Sequence, residues 1–223
     1  MRIALATLGI FAFAGAASAS VTLTFDDPGV GAEFTYDETT GTLEYTGAPV
    51  DFVIDGTDEG IAPVEFAGAT FTLSATVSPV TVIATPFGDF VIAEASADFA
   101  WSTAGDETIL SGTFESALLT LSPTGFNLTA NDDSALSYLF GEAATDYSSF
   151  IVTGPVDANW TLTDLAFPGG GPTTVPAPGG PETFADFEAN SSFTGTLNGF
   201  IPTPGSAALA VLAGFAATRR RRA

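Results

Sequence analysis

The segment Phe90-Val-Ile-Ala-Glu-Ala-Ser-Ala-Asp-Phe-Ala-Trp101 carries the strongest secondary-structure signal in this chain. Its apolar side chains occupy every second position from Val91 to Trp101, and Glu94, Ser96 and Asp98 lie between them. Because successive side chains of a strand point to opposite faces of a sheet, this period predicts a long strand with one buried and one wet face. Such strands are typical of antiparallel sheets.

Shorter segments with strand character lie on both sides of it, separated by turn residues. They cover residues 21–25, 32–36, 42–46, 52–54, 70–77, 80–84, 108–121, 124–130, 149–153, 156–163, 183–188 and 192–197. The clearest hairpin joins 32–36 to 42–46 through a loop that ends in Gly. Many short strands without alternating helices predict an all-β fold. An antiparallel β-sandwich is favoured and a β-barrel is the alternative, with the 20 Phe residues filling the core.

Three local features interrupt this pattern. Asp133-Ser-Ala-Leu-Ser-Tyr-Leu-Phe140 is the only segment predicted to be helical, with at most two turns and Asp133 as the N-cap. Gly112 is predicted to form a β-bulge within its strand. The stretch 168–181 is rich in Pro and Gly and is predicted to be a long loop or linker, since strand character resumes after it.

The distribution of charge excludes several classes of partner. The five basic residues are Arg2 and Arg219–Arg222, whereas all 26 acidic residues lie between Asp26 and Glu188. Residues 20–201 therefore contain no Lys, Arg or His, and no side-chain ion pair can form among them. Nucleic acid and anionic membrane surfaces are excluded as partners of this region, because nothing in it can neutralise phosphates.

The residue types also restrict the chemistry. The chain has no Cys, which excludes thiol catalysis and Cys-based zinc sites. Without His, Lys or Arg, residues 20–201 cannot provide a Ser-His-Asp triad, a Schiff base or a phosphate clamp. Hydrolysis of a glycosidic bond by two carboxylates remains, but 26 acidic residues bring some pair together by chance. We therefore expect a non-catalytic protein.

Acidic turns provide the candidates for a metal site. Asp55-Gly-Thr-Asp-Glu-Gly60 has the carboxylate density of a calcium loop but does not match the EF-hand spacing. The pairs Asp26/Asp27 and Asp132/Asp133 are weaker candidates. A solvated acidic turn is the simpler interpretation of each, so no metal ligand is assigned and Ca²⁺ is kept as the only cofactor candidate.

The two tryptophans are the natural candidates for stacking on a sugar ring. Trp101 and Trp160 both fall on the apolar faces of predicted strands. Core packing is therefore the prediction for each, and sugar binding is the alternative.

The amino terminus has the three parts of a secretory signal peptide. Met1-Arg2 is a short basic region, residues 3–14 are an apolar core, and Ala17-Ser18-Ala19 is an A-x-A cleavage site. Cleavage after Ala19 would make Ser20 the new terminus. Residues 1–19 are thus the predicted signal peptide, and 20–200 the exported acidic domain.

The carboxyl terminus, residues 201–223, is organised as a sorting signal. A turn formed by Pro202, Thr203, Pro204 and Gly205 precedes an uncharged run, and Arg219, Arg220, Arg221 and Arg222 follow it. The run from 206 to 217 is about half of the ~20 residues needed to cross a bilayer as a helix. Arginines favour the cytoplasmic side, so the domain before the tail would face outward.

This tail resembles the PEP-CTERM sorting signal of bacterial envelope and exopolysaccharide-associated proteins. The resemblance covers the last 22 residues, and it departs from the family's name motif at Thr203, where the motif carries Glu. It implies transient anchoring in the cytoplasmic membrane and processing by an exosortase-type enzyme. An uncleaved tail anchor is the alternative.

Three functions remain open after these exclusions. We expect an exported cell-envelope or extracellular-matrix protein that meets the export machinery and an exosortase-type enzyme. The first rival is a secreted carbohydrate-binding module, or a two-carboxylate glycoside hydrolase, with polysaccharide as the partner. The second is a calcium-dependent adhesive or structural module.

We predict that salt or divalent cations stabilise the exported region. Its carboxylates have no side-chain cation to pair with, and two charges ~6 Å apart in water repel by about 0.7 kcal/mol. Salt screens this repulsion, and protonation in mild acid relieves it. Thermal melts at pH 7 should therefore show a higher midpoint in sodium chloride than in low-salt chelator.

Millimolar calcium is the informative third condition in these melts. A rise above that produced by sodium chloride of matched ionic strength would indicate a specific site, with Asp55, Asp58 and Glu59 the first residues to mutate. A midpoint that is the same in all three conditions would refute the prediction.

Overall fold

The computed structural model describes residues 19–26, 31, 33–170, 173–176 and 180–201, and within them the fold is all-β. The strands are β1 (Ala19–Phe25), β2 (Phe34–Asp37), β3 (Thr42–Tyr45), β4 (Val50–Asp55), β5 (Val64–Val77), β6 (Thr81–Thr85), β7 (Gly88–Ser102), β8 (Thr108–Ser122), β9 (Gly125–Asn131), β10 (Ser137–Phe140), β11 (Ile151–Ala166), β12 (Thr174–Pro176), β13 (Glu182–Phe184) and β14 (Phe187–Phe200). Short 3₁₀ helices cover Thr57–Glu59, Asp132–Ser134 and Thr145–Tyr147.

Strand pairing closes on itself. The path β1–β4–β5–β7–β8–β9–β11–β14 returns to β1, and every neighbouring pair is antiparallel. The hairpin β2–β3 also links β14 to β5. The prediction of an all-β antiparallel fold is confirmed. The strands pair in a closed ring, as in the alternative prediction of a barrel. Apolar side chains fill the interior, as they do between the two sheets of a sandwich.

The strand β7 has the alternation predicted for it. Residues 91, 93, 95, 97, 99 and 101 are buried, and the residues between them are exposed or half-buried. Phe71 of β5 and Leu110 of β8 lie opposite Trp101, one on each side. The apolar face of β7 thus points into the interior enclosed by the closed ring of strands.

Aromatic rings fill the interior. Trp101 is fully buried and stacks on Phe52, with ring centroids 4.5 Å apart and 10° between the planes. Phe71 also stacks on Trp101, with centroids 4.6 Å apart, and the Trp160 and Phe193 centroids are 5.0 Å apart. Aromatic pairs of this kind contribute about 0.5–1.5 kcal/mol beyond their burial. The prediction that both tryptophans are core residues is confirmed.

The β2–β3 hairpin is also confirmed. Phe34 pairs with Tyr45 and Tyr36 with Leu43, and all four side chains are buried. Gly41 ends the loop at φ 68°, a conformation that favours glycine.

The helix predicted at 133–140 is wrong. Asp132–Ser134 form one 3₁₀ turn whose N-cap is Asn131, not Asp133, and the Asn131 side chain accepts a hydrogen bond from the Asp133 N–H. Ala135 then turns left-handed at φ 50°, and the next residues become β10, paired with β8. The half-buried positions of β10, Tyr138 and Phe140, are two residues apart, so the period here is that of a strand.

The bulge predicted at Gly112 is also misplaced. Gly112 pairs regularly with Phe99 on β7 and with Tyr138 on β10. Two irregularities lie elsewhere on β8. Residues 115 and 116 face the single residue 96, and Ile109 is an extra residue between the pairs Trp101–Leu110 and Ser102–Thr108. Glycine is required at 112 by close packing, since an added Cβ would lie 2.3 Å from Phe99 Cζ and 2.4 Å from the Ser137 carbonyl oxygen.

The chain after the Pro- and Gly-rich stretch returns to the sheet. β12, inside that stretch, pairs with β13, which comes directly after it, and β14 then pairs with β1, β2 and β11. The strand β14 is therefore a central one.

Replacing Gly112 by Ala should destabilise the fold by about 1–3 kcal/mol, because the methyl group overpacks against an aromatic ring and a backbone carbonyl. Gly105→Ala is the matched control in the loop between β7 and β8, where the nearest atom to the added Cβ is the Thr103 hydroxyl at 3.7 Å. Urea unfolding followed by tryptophan fluorescence measures both. Equal midpoints for the two variants would contradict this packing.

Candidate functional site

The outer face of β5, β7, β8 and β10 holds two adjoining grooves of about 450 and 440 Å³. They share Asp98 and Thr113, and both residues are exposed. Glu115 adds a second carboxylate, and six further lining residues carry hydroxyl groups: Thr72, Ser74, Thr76, Ser96, Ser111 and Ser137. These residues occupy alternate positions of their strands, so the same period that fills the core also builds the groove.

Strand register places the groove residues in a row across the sheet. Ser74 lies opposite Asp98, Asp98 opposite Thr113, and Thr113 opposite Ser137. The Thr113 and Ser137 hydroxyls are 2.9 Å apart and hydrogen-bonded. Neighbouring strands are about 4.8 Å apart, so the Asp98 carboxylate has a hydroxyl within reach on either side.

The groove is lined by hydroxyl groups and carboxylates. Hydroxyls donate and accept hydrogen bonds, and a carboxylate accepts them, which suits a neutral polyol such as a sugar. The exposed Leu139 at one end, with 71 % of its surface accessible, adds an apolar contact. No His or basic residue exists in 20–201 to activate a serine as a nucleophile.

A second cleft, of about 460 Å³, lies between the β2–β3 turn and the segment joining β13 to β14. Its lining combines apolar side chains, including Phe167 and Phe187, with four carboxylates: Asp37, Glu38, Asp186 and Glu188. It is the place where the described residues concentrate carboxylates beside an apolar wall, as a two-carboxylate hydrolase would require.

Two carboxylates of this cleft hold its backbone in place. Asp37 Oδ1 accepts hydrogen bonds from the N–H groups of Thr39 at 2.7 Å and Thr40 at 3.2 Å, and these bonds lower the Asp37 pKa. Asp186 Oδ1 accepts one from the Glu38 N–H at 2.7 Å. A general acid needs a raised pKa, so Asp37 is unsuited to that role.

The candidate calcium loop is a hydrogen-bonded turn. The Asp55 carboxylate accepts from the hydroxyl and the N–H of Thr57, and these bonds lower its pKa. Asp58 Oδ2 accepts from the Ser20 hydroxyl at 3.1 Å, and Glu59 Oε1 is buried without a hydrogen-bond partner in the described structure. Nowhere in the described ranges do three His, Cys, Asp or Glu side chains converge as a metal-binding group.

The lowered pKa values of Asp37 and Asp55 reverse the expected acid response at these two sites. A depressed folded-state pKa contributes stability that is present above the unfolded-state value and lost as pH falls through the folded one. For both residues, therefore, acid removes stability, in contrast to the general expectation that protonation relieves repulsion.

The other acidic pairs differ in their roles. Asp132 Oδ1 accepts a hydrogen bond from the Val156 N–H at 2.9 Å, which fastens the turn after β9 to β11. Asp133 and Asp26 are exposed. Asp27 lies outside the described residues.

The tryptophans do not form a sugar-binding surface. Trp101 and Trp160 have no accessible surface, which leaves no face for a sugar ring. Stacking of a sugar ring on these two residues is therefore ruled out.

A buried polar contact was not anticipated from the sequence. Glu33 is fully buried, and its Oε2 accepts hydrogen bonds from the N–H and the hydroxyl of Ser191, both at 2.7 Å. Gly47 leaves room for it, since an added Cβ would lie 2.8 Å from Glu33 Cγ. Glu33 and Ser191 are 158 positions apart, and no local pattern pairs them.

The predicted sorting motif, Pro202 to Gly205 and Arg219 to Arg222, lies outside the described residues, as does Ala17 of the cleavage site. Ala19 and Ser20 begin β1. No helix in the described part of the chain has the length and hydropathy to span a bilayer. No protein-family model, curated protein or solved structure matches this chain.

Proposed function

We propose that this chain is an exported, non-catalytic protein of the cell envelope or extracellular matrix, processed through its PEP-CTERM-like tail by an exosortase-type enzyme. The observation that carries the proposal is the pairing of Ala19 on β1 with Gly199 on β14. The two predicted targeting segments, 1–19 and 201–223, thus join the folded region at the same end of the β1–β14 pair.

This arrangement suits a domain that is tethered and then released. Ser20, the expected new terminus, pairs with Asn198 inside the sheet, so removal of the signal peptide takes only Ala19 from β1. The last residue before the tail that pairs within the closed sheet is Phe200, which lies opposite Ile151 of β11. Both cleavages, of the signal peptide and of the tail, would leave the closed path of strand pairing in place.

The exposed surface supports an extracellular, non-catalytic role. The outer faces of the ring carry Thr, Ser, Asn and acidic side chains, and residues 20–201 contain no basic side chain. A strong net negative charge opposes binding to anionic lipid. The groove around Asp98 favours a second candidate function for the same protein, binding of a neutral polysaccharide, through hydroxyl and carboxylate contacts rather than aromatic stacking.

Mass spectrometry of the protein recovered from the cells that make it tests the proposal. We expect a mature chain that begins at Ser20 and ends before Arg219. Replacing Pro202 and Pro204 by Ala should cause an unprocessed, membrane-retained form to accumulate, and Pro155→Ala, far from the tail in sequence, serves as the control. A mature protein that still ends in Arg219–Arg222 would contradict processing.

A further inference from the structure

The strand β6 lies at an edge of the sheet. It pairs with β7 along its whole length, from Thr81 opposite Ile92 to Thr85 opposite Gly88. In the described structure no second strand pairs with β6. Its outer edge therefore presents backbone N–H and C=O groups without a ladder partner, which is the usual template for adding another strand.

This edge is apolar and uncharged in a strongly acidic chain. Val82 is 41 % exposed, Ile83 48 %, and Phe87 at the hairpin tip 88 %. No charged residue occurs from Ser78 to Gly88, although the chain's net charge is −21. Edge strands are normally protected by charged side chains, and β6 has none.

The length of the free edge is limited on both sides. Pro79 precedes β6 and Pro86 follows it, and proline cannot donate a ladder hydrogen bond. The Thr85 hydroxyl donates to the Gly88 carbonyl oxygen at 2.6 Å and accepts from the Phe87 N–H at 3.2 Å, which holds the hairpin turn. Five residues, Thr81–Thr85, are left available for pairing.

We propose that β6 pairs antiparallel with β6 of a second copy of this chain, on a two-fold axis through Ile83. The sequence Thr-Val-Ile-Ala-Thr is self-complementary in this register. Thr81 then faces Thr85 of the other copy, Val82 faces Ala84, and Ile83 faces Ile83. Threonine and aliphatic cross-strand pairs stabilise antiparallel sheets.

The self-complementary sequence of β6 selects a second copy as the partner. A basic partner would be drawn to the carboxylate-rich surfaces, whereas β6 itself carries no carboxylate and Asp89 of β7 lies opposite Ala84. Two copies repel each other over most of their surfaces, and the uncharged strand β6 lets them approach with less repulsion. The inference stands on the edge strand alone and is independent of how the tail is processed.

Disulfide trapping in the full chain tests this pairing without background, because the native sequence has no Cys. Under mild oxidation, Ile83→Cys should give a covalent dimer of twice the chain mass, since directly opposed residues have Cα atoms about 4.5–5.5 Å apart, within the range of a disulfide. Val82→Cys should crosslink several-fold less, because two Val82 residues would be diagonal neighbours about 7–8 Å apart.

Leu118→Cys is the control for chance collisions, since Leu118 is 47 % exposed in the interior of the sheet. Ile83→Lys should abolish the dimer in sedimentation analysis, and Leu118→Lys should not. Crosslinking of Ile83→Cys no greater than that of Leu118→Cys or Val82→Cys would overturn the pairing. A product with a different protein would overturn the choice of a second copy.

Discussion

The position of β1 between β4 and β14 is the constraint on which the rest of the structure depends. β1 pairs with β14 along seven residues and with β4 through residues 22–24, and this double pairing closes the ring. Val21, Leu23 and Phe25 then point inward and are buried. Without this strand the aromatic interior around Trp101 would be open to water. Closure also removes two free sheet edges, which natural β proteins must otherwise protect.

No ion pair can assist that closure, because residues 20–201 contain no basic side chain. The carboxylates instead accept hydrogen bonds from backbone N–H groups, as Asp37, Asp55, Asp132 and Glu33 do. Charge-assisted bonds of this kind are stronger than neutral ones. They fix the turns around the ring, and the remaining exposed carboxylates give the surface its charge.

Local patterns in the sequence predicted much of the fold. The alternation in β7, the β2–β3 hairpin and the burial of Trp101 and Trp160 follow from side-chain period alone. Segment 133–140 was misassigned because Leu136, Leu139 and Phe140 fit a helical face, whereas pairing with β8 determines its conformation. The groove around Asp98 and the contact between Glu33 and Ser191 depend on strand neighbours far apart in the chain. No period within a single segment specifies those neighbours.

Hydrogen exchange measured residue by residue on the exported protein tests the central claim, that β1 closes the ring as part of one cooperative unit. The account predicts that the most protected amides of β1 exchange with the same free energy of opening as those of β7, and that both match the free energy of global unfolding. β6 should exchange more easily. Exchange of β1 amides at a much lower free energy, with β7 still fully protected, would contradict the account.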